Sequence, residues 1–147
     1  MKLPKYHLKA ESKFTRFEFI SEGTKGAIRK LIEFQTTSDI DVYNLAFGDK
    51  ETATGNLDDL AVTNNGDTEK VLATVVAALY VFFDNYHTAY VYATGSTKGR
   101  TRLYRMGITK FYKEMQKDFY LYGQLGDDYS ELELDKEYDG FLAQRKF

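Results

Sequence analysis

The segment YATGSTKGRTRLYRMGI, residues 92–108, carries the side chains of this sequence that are best suited to binding a charged ligand. A glycine lets the backbone approach a ligand closely, hydroxyl groups donate hydrogen bonds, and guanidinium groups hold phosphate or carboxylate through two N–H donors at once. Six residues of the segment have these properties: Gly95, Ser96, Thr97, Arg100, Arg102 and Arg105. The residue types therefore predict a site for an anion, such as a phosphorylated ligand or the phosphates of a nucleic acid.

The order of local structure around these residues supports that prediction. Residues 88–94 are rich in aromatic and β-branched side chains and predict a strand, GSTKG predicts a turn, and a helix is expected over 99–117. A helix start presents unpaired N–H groups and partial positive charge, which is why a strand, a glycine turn and a helix in succession can hold an anion. The spacings of a Walker loop and of a dinucleotide-binding fingerprint are both absent.

Helical geometry singles out Arg100, which projects onto the apolar face of the predicted helix. That face is expected to point into the core, where an unpaired charge is costly. The partner of Arg100 is then either a bound anion or an acid of this chain, with Asp58, Asp59 and Asp84 as the candidates. The two hydroxyls of the turn could likewise serve only as helix caps, so the structural and the binding interpretations both stay open.

The string YATGSTKGRTRLYRM, residues 92–106, resembles a bacterial family of small proteins of unknown function. The words GST at 95–97 and RTRLYR at 100–105 are its most distinctive part, and the resemblance extends over most of the chain. It implies no activity, cofactor or catalytic residue. It does direct attention to residues 92–105.

Charge is unevenly placed along the chain. Basic side chains dominate residues 98–117, whereas acidic side chains dominate residues 127–139. Such asymmetry can indicate a basic surface for nucleic acid, but the two segments could also face each other or simply be solvated.

Tyrosines recur at alternate positions beside the basic segment, at Tyr90, Tyr92, Tyr120 and Tyr122. Alternate residues of a strand share one face of a sheet. We expect that face to be core; the alternative is a surface on which the bases of a single-stranded nucleic acid stack.

The remaining patterns predict an α+β fold. Strands are expected over 13–21, 27–36, 41–48, 88–94 and 119–125, with a short one at 131–134, and helices over 68–86 and 99–117. The predicted fold is a mainly antiparallel sheet, in the order β-β-β-α-β-α-β, packed against two helices. We expect a single domain over residues 1–147, with loose ends at 1–12 and 140–147.

Composition narrows the classes of function. The chain has no cysteine, which excludes disulfides, thiolate metal sites and thiol nucleophiles, and no apolar run long enough to span a bilayer. We expect a cytoplasmic protein that binds no membrane, with no metal site, no cofactor and no catalytic residue.

A binding module is the first hypothesis. The second is a protein–protein component of a bacterial two-gene system of the toxin–antitoxin kind, and the third is an enzyme that uses Arg100 and His87 on a phosphorylated substrate. The enzyme ranks last because no nucleophile or base can be identified.

Overall fold

The structure, a computed structural model, describes residues 4–58, 64–95 and 97–147. Over those ranges the chain is α+β, with a mostly antiparallel nine-stranded sheet and two helices, as predicted. The elements are β1 (Lys9–Ala10), β2 (Arg16–Gly23), β3 (Gly26–Thr36), β4 (Val42–Lys50), β5 (Leu57–Asp58), α1 (Thr68–Asn85), β6 (Tyr90–Ala93), α2 (Lys98–Asp118), β7 (Phe119–Leu125), β8 (Asp128–Glu131) and β9 (Gly140–Arg145). Neither helix in the described ranges is long and apolar enough to cross a membrane.

The chain forms two compact units. Unit 1 consists of Met1–Phe34 and Ala46–Asn85, and unit 2 consists of Gln35–Leu45 and Tyr86–Phe147. The prediction of one domain over residues 1–147 stays a prediction.

Unit 1 is built on an antiparallel meander of β1, β2 and β3, with α1 as its helix. The alternation in β2 buries Phe17 and Phe19, and the rings of Phe34 on β3 and Phe82 on α1 stack with their centroids 4.2 Å apart. Most of α1 is buried, as expected for a helix whose sequence is apolar on nearly every side.

Within the segment 1–12, which was predicted to be loose, Tyr6 is held by hydrogen bonds to other parts of unit 1. The Tyr6 hydroxyl donates to the carboxylate of Asp67 at 2.6 Å, and the Tyr6 backbone N–H donates to the Thr74 hydroxyl at 2.8 Å. Ser21, which is fully buried, donates to the same carboxylate at 2.5 Å. Asp67 therefore accepts two internal hydrogen bonds.

Unit 2 has the strand order β4-β6-β9-β7-β8, to which β4 contributes only Val42–Leu45. In this order β4 and β6 are parallel and the other pairs are antiparallel. β9 lies between β6 and β7, so the expectation of a loose end at 140–147 is wrong. The alternation of buried Phe141 and Ala143 in β9 is too short to stand out in the sequence. Pairing with strands on both sides is what holds this segment in place.

The tyrosines of unit 2 lie on the face of the sheet opposite to its buried side chains. The buried residues of these strands are at the other set of alternate positions: Val91, Ala93, Phe119, Phe141 and Ala143. Tyr92 and Tyr122 both pair with Leu142, and Tyr129 pairs with Gln124, which places all three on the outer face. The expectation that the tyrosines form the core is therefore wrong. We call Tyr90, Tyr92, Tyr120, Tyr122 and Tyr129 the tyrosine face.

Candidate functional site: a cleft beside the start of α2

Thr97 is the N-cap of α2. Its side-chain oxygen accepts a hydrogen bond from the backbone N–H of Arg100 at 3.3 Å, and its carbonyl accepts one from the N–H of Thr101 at 3.1 Å. This is the role that threonine commonly plays at a helix start. The hydroxyl of Thr97 is therefore used by the helix itself.

Gly95 packs directly against the first turn of α2. Its N–H donates to the hydroxyl of Thr101 at 3.0 Å. A Cβ atom at this position would lie 2.2 Å from the Cβ of Arg100 and 2.5 Å from the backbone nitrogen of Thr101. Only glycine fits here, and the close approach is to the chain's own helix. Ser96, which follows, lies outside the described residues.

A cleft of about 480 Å³ opens in unit 2 beside this helix start. Of the six residues that the sequence predicts as a site, four line it: Gly95, Thr97, Arg102 and Arg105. The cleft also brings in Lys98, Thr94 and Thr101, which the prediction omitted. Lys98, Arg102 and Arg105 are four and three residues apart on one helix, so helical spacing alone predicts that they share a face.

The opposite wall of the cleft is acidic. Glu137 and Asp139 line it together with the ring of Tyr138 and with Phe141 and Leu125. Arg105 Nη1 lies 3.8 Å from Glu137 Oε1, and the Glu137 side chain is 83% exposed. An ion pair this long and this exposed contributes at most about 1 kcal/mol.

Asp139 accepts hydrogen bonds from neighbouring segments of the chain. Its Oδ2 accepts a hydrogen bond from the N–H of Gly126 at 2.8 Å, and its carbonyl accepts one from the Thr94 hydroxyl at 2.8 Å. By contrast, Lys98 and Arg102 form no ion pair with any residue in the described ranges. The cleft thus has two cations available to a ligand, a third that is weakly paired, and the positive end of a helix.

The model of a protein family described as "Family of unknown function (DUF6934)" matches residues 2–146, which is almost the entire chain. The chain belongs to this family. The resemblance predicted from the sequence is thereby confirmed at the level of the family. No curated protein and no solved structure matches the chain. Membership of DUF6934 brings no ligand or activity with it, so the chemistry of the cleft must be argued from its own residues.

Arg100 does not line the cleft of this DUF6934 member. Its Nη2 atom is buried and makes no hydrogen bond within the part of the chain that the structure describes. One of its candidate partners, Asp59, lies outside the described residues. The prediction placed Arg100 and Arg102 in one site, but only Arg102 lines the cleft.

His87, the residue that the enzyme hypothesis requires, has its ring against that of Phe147, with the two centroids 4.7 Å apart. It is not among the residues that line the cleft. The cleft itself offers hydroxyls, cations and carboxylates but no histidine. Its hydroxyl and cationic side chains are groups that can hold an anion.

Proposed function

We propose that this DUF6934 member is a non-enzymatic binding module of the bacterial cytoplasm that holds a phosphate group in the cleft beside α2. The observation that carries the proposal is the presence of Lys98 and Arg102 in one cleft with no ion-pair partner in the described ranges. Unpaired cations next to a helix N-terminus favour anions electrostatically. Arg102 adds a planar pair of donors that matches a phosphate oxygen pair.

The positions of the predicted residues narrow the mode of binding. The Gly95 N–H donates to Thr101 and the Thr97 oxygen accepts from Arg100, so both groups take part in the start of α2. The donors open to a ligand include the side chains of Lys98, Arg102 and Arg105, together with the hydroxyl hydrogen of Thr97. Binding through side-chain charge predicts an affinity that falls as salt rises.

Titration calorimetry with adenosine monophosphate and with a phosphoserine peptide, at low and at physiological salt, tests the proposal. We expect binding that weakens with salt and that falls about tenfold in Arg102→Ala, since a charge-assisted hydrogen bond contributes on the order of 1.5 kcal/mol. Lys113→Ala removes an exposed cation from the same helix, away from the cleft, and should leave the affinity unchanged. Equal losses in the two variants would show that only net charge matters, and the site would then be rejected.

A further inference from the structure

The tyrosine face offers aromatic rings to solvent on the outer side of unit 2. Tyr120 and Tyr129 are each 49% exposed, while Tyr90, Tyr92 and Tyr122 are partly buried. The rings sit on three strands, β6, β7 and β8, and β9 lies between β6 and β7. Rigid strands therefore hold them in fixed positions.

The face is built so that rings can lie along the sheet. The Tyr92 hydroxyl donates a hydrogen bond to Gln124 Oε1 on β7 and so extends over β9. A Cβ atom at Gly140 would lie 2.6 Å from that hydroxyl, so the glycine makes room for the ring. At the other end of the face, Lys146 Nζ lies 5.0 Å from the centroid of the Tyr120 ring and brings a cation to the surface.

The tyrosine face meets the cleft at the strand ends. Thr94 lines the cleft and stands two residues after Tyr92. Gln124, which accepts the hydrogen bond from the Tyr92 hydroxyl, also accepts the backbone N–H of Asp139 at its own carbonyl, at 2.8 Å. Because Asp139 lines the cleft, these hydrogen bonds place the Tyr92 hydroxyl beside the rim of the cleft, and Tyr129 lies on the adjacent strand, paired with Gln124. A phosphate in the cleft would thus have aromatic rings within reach of the group attached to it.

We propose that the ligand of this site is a single-stranded nucleic acid, with a backbone phosphate held in the cleft and neighbouring bases stacked on the tyrosine face. This inference rests on the proposed function. Aromatic platforms beside basic grooves hold unpaired bases regardless of sequence, because every base has a π-face. A duplex keeps its base faces hidden, so the same surface should discriminate against it.

Fluorescence anisotropy on the full chain, with a labelled oligouridine, a labelled oligothymidine and a matched duplex, tests the inference. We expect both single strands to bind and the duplex to bind at least about tenfold more weakly. Loss of one stacked base costs a factor of about ten, so Tyr129→Ala should reduce single-strand affinity about tenfold while Tyr129→Phe retains it. Tyr129 is half exposed, so neither substitution should disturb the fold.

The cleft variant separates the two proposals. Arg102→Ala should weaken single-strand binding. It should also make the slope of log affinity against log salt shallower by about one unit, which corresponds to the loss of one phosphate contact. If Arg102→Ala weakens binding and Tyr129→Ala does not, or if the duplex binds as well as the single strands, the stacking inference is overturned and the phosphate cleft stands. If the phosphoserine peptide binds and no oligonucleotide binds, the stacking inference is likewise overturned and the phosphate cleft stands. Failure of every phosphate-bearing probe would overturn both.

Discussion

Arg105 Nη1 lies 3.8 Å from Glu137 Oε1, and both side chains line the cleft beside α2. The acidic segment of the chain thus places a carboxylate beside a cation that the proposed ligand would also use. The contact is long and exposed, so a ligand phosphate can displace it at small cost.

Glu137→Gln should increase the affinity for adenosine monophosphate. Removing the competing carboxylate frees Arg105 and removes a repulsive charge, and an exposed pair contributes at most about 1 kcal/mol, so the gain should be up to about fivefold. Calorimetry measures it. Asp127→Asn makes the same change of net charge in the same acidic segment, but outside the cleft. An equal gain in that variant would contradict a direct role for Glu137.

Gly95→Ala should destabilise the fold by about 2 kcal/mol or more, because its methyl group would overlap the backbone and Cβ atoms of the first turn of α2. Urea unfolding measures the free energy. Gly99→Ala is the matched control, since its methyl group would come no closer than 3.8 Å to the Thr97 hydroxyl. That variant should be unchanged or more stable by up to about 1 kcal/mol, as expected for alanine inside a helix. Equal stability of the two variants would argue against the close packing at Gly95.

Lys30→Met should destabilise unit 1 by about 3 kcal/mol, because it removes the cation from a buried pair. Lys30 Nζ lies 2.5 Å from Asp49 Oδ1, and the lysine side chain is 1% exposed. Lys50→Met provides the comparison, since Lys50 pairs with Glu18 at 3.1 Å but is 23% exposed, and its loss should cost less than about 1 kcal/mol. Denaturant unfolding of both variants checks the difference, and a larger cost for Lys50→Met would refute it.

Tyr92 should make stability depend on pH under alkaline conditions. Burial raises the pKa of Tyr92 in the folded state, so the folded chain holds the phenolic proton more tightly than the unfolded chain does. The resulting stability is fully present below the unfolded pKa of about 10 and is lost as the pH rises through the folded pKa. Tyr92→Phe should therefore lose less stability than the natural chain between about pH 9 and about pH 11. Unfolding at several pH values measures this, with the neutral values accounting for the lost hydrogen bond to Gln124. If the free energy of unfolding falls equally with pH in Tyr92→Phe and in the natural chain, Tyr92 makes no such contribution.

Sequence patterns that extend over a few residues were sufficient to predict many of the helices, strands and helix caps of this protein. The apolar run of α1 predicted a buried helix, and the alternation of Phe17 and Phe19 indicated a strand with one buried face. Thr97 could be predicted as a helix cap, and the spacing of Lys98, Arg102 and Arg105 is enough to place three cations on one helical face, although the prediction omitted Lys98. These features depend on helix and strand geometry, which the local sequence specifies.

Contacts between distant parts of the chain decided the rest. Only the pairing of β9 with β6 and β7 shows that Gly140–Arg145 is a strand and that the tyrosines face outward. Only tertiary packing brings Glu137 and Asp139 to the cleft and leaves Arg100 out of it. Periodicity states which residues share a face but not which face is covered, because burial is set by the partner that packs there.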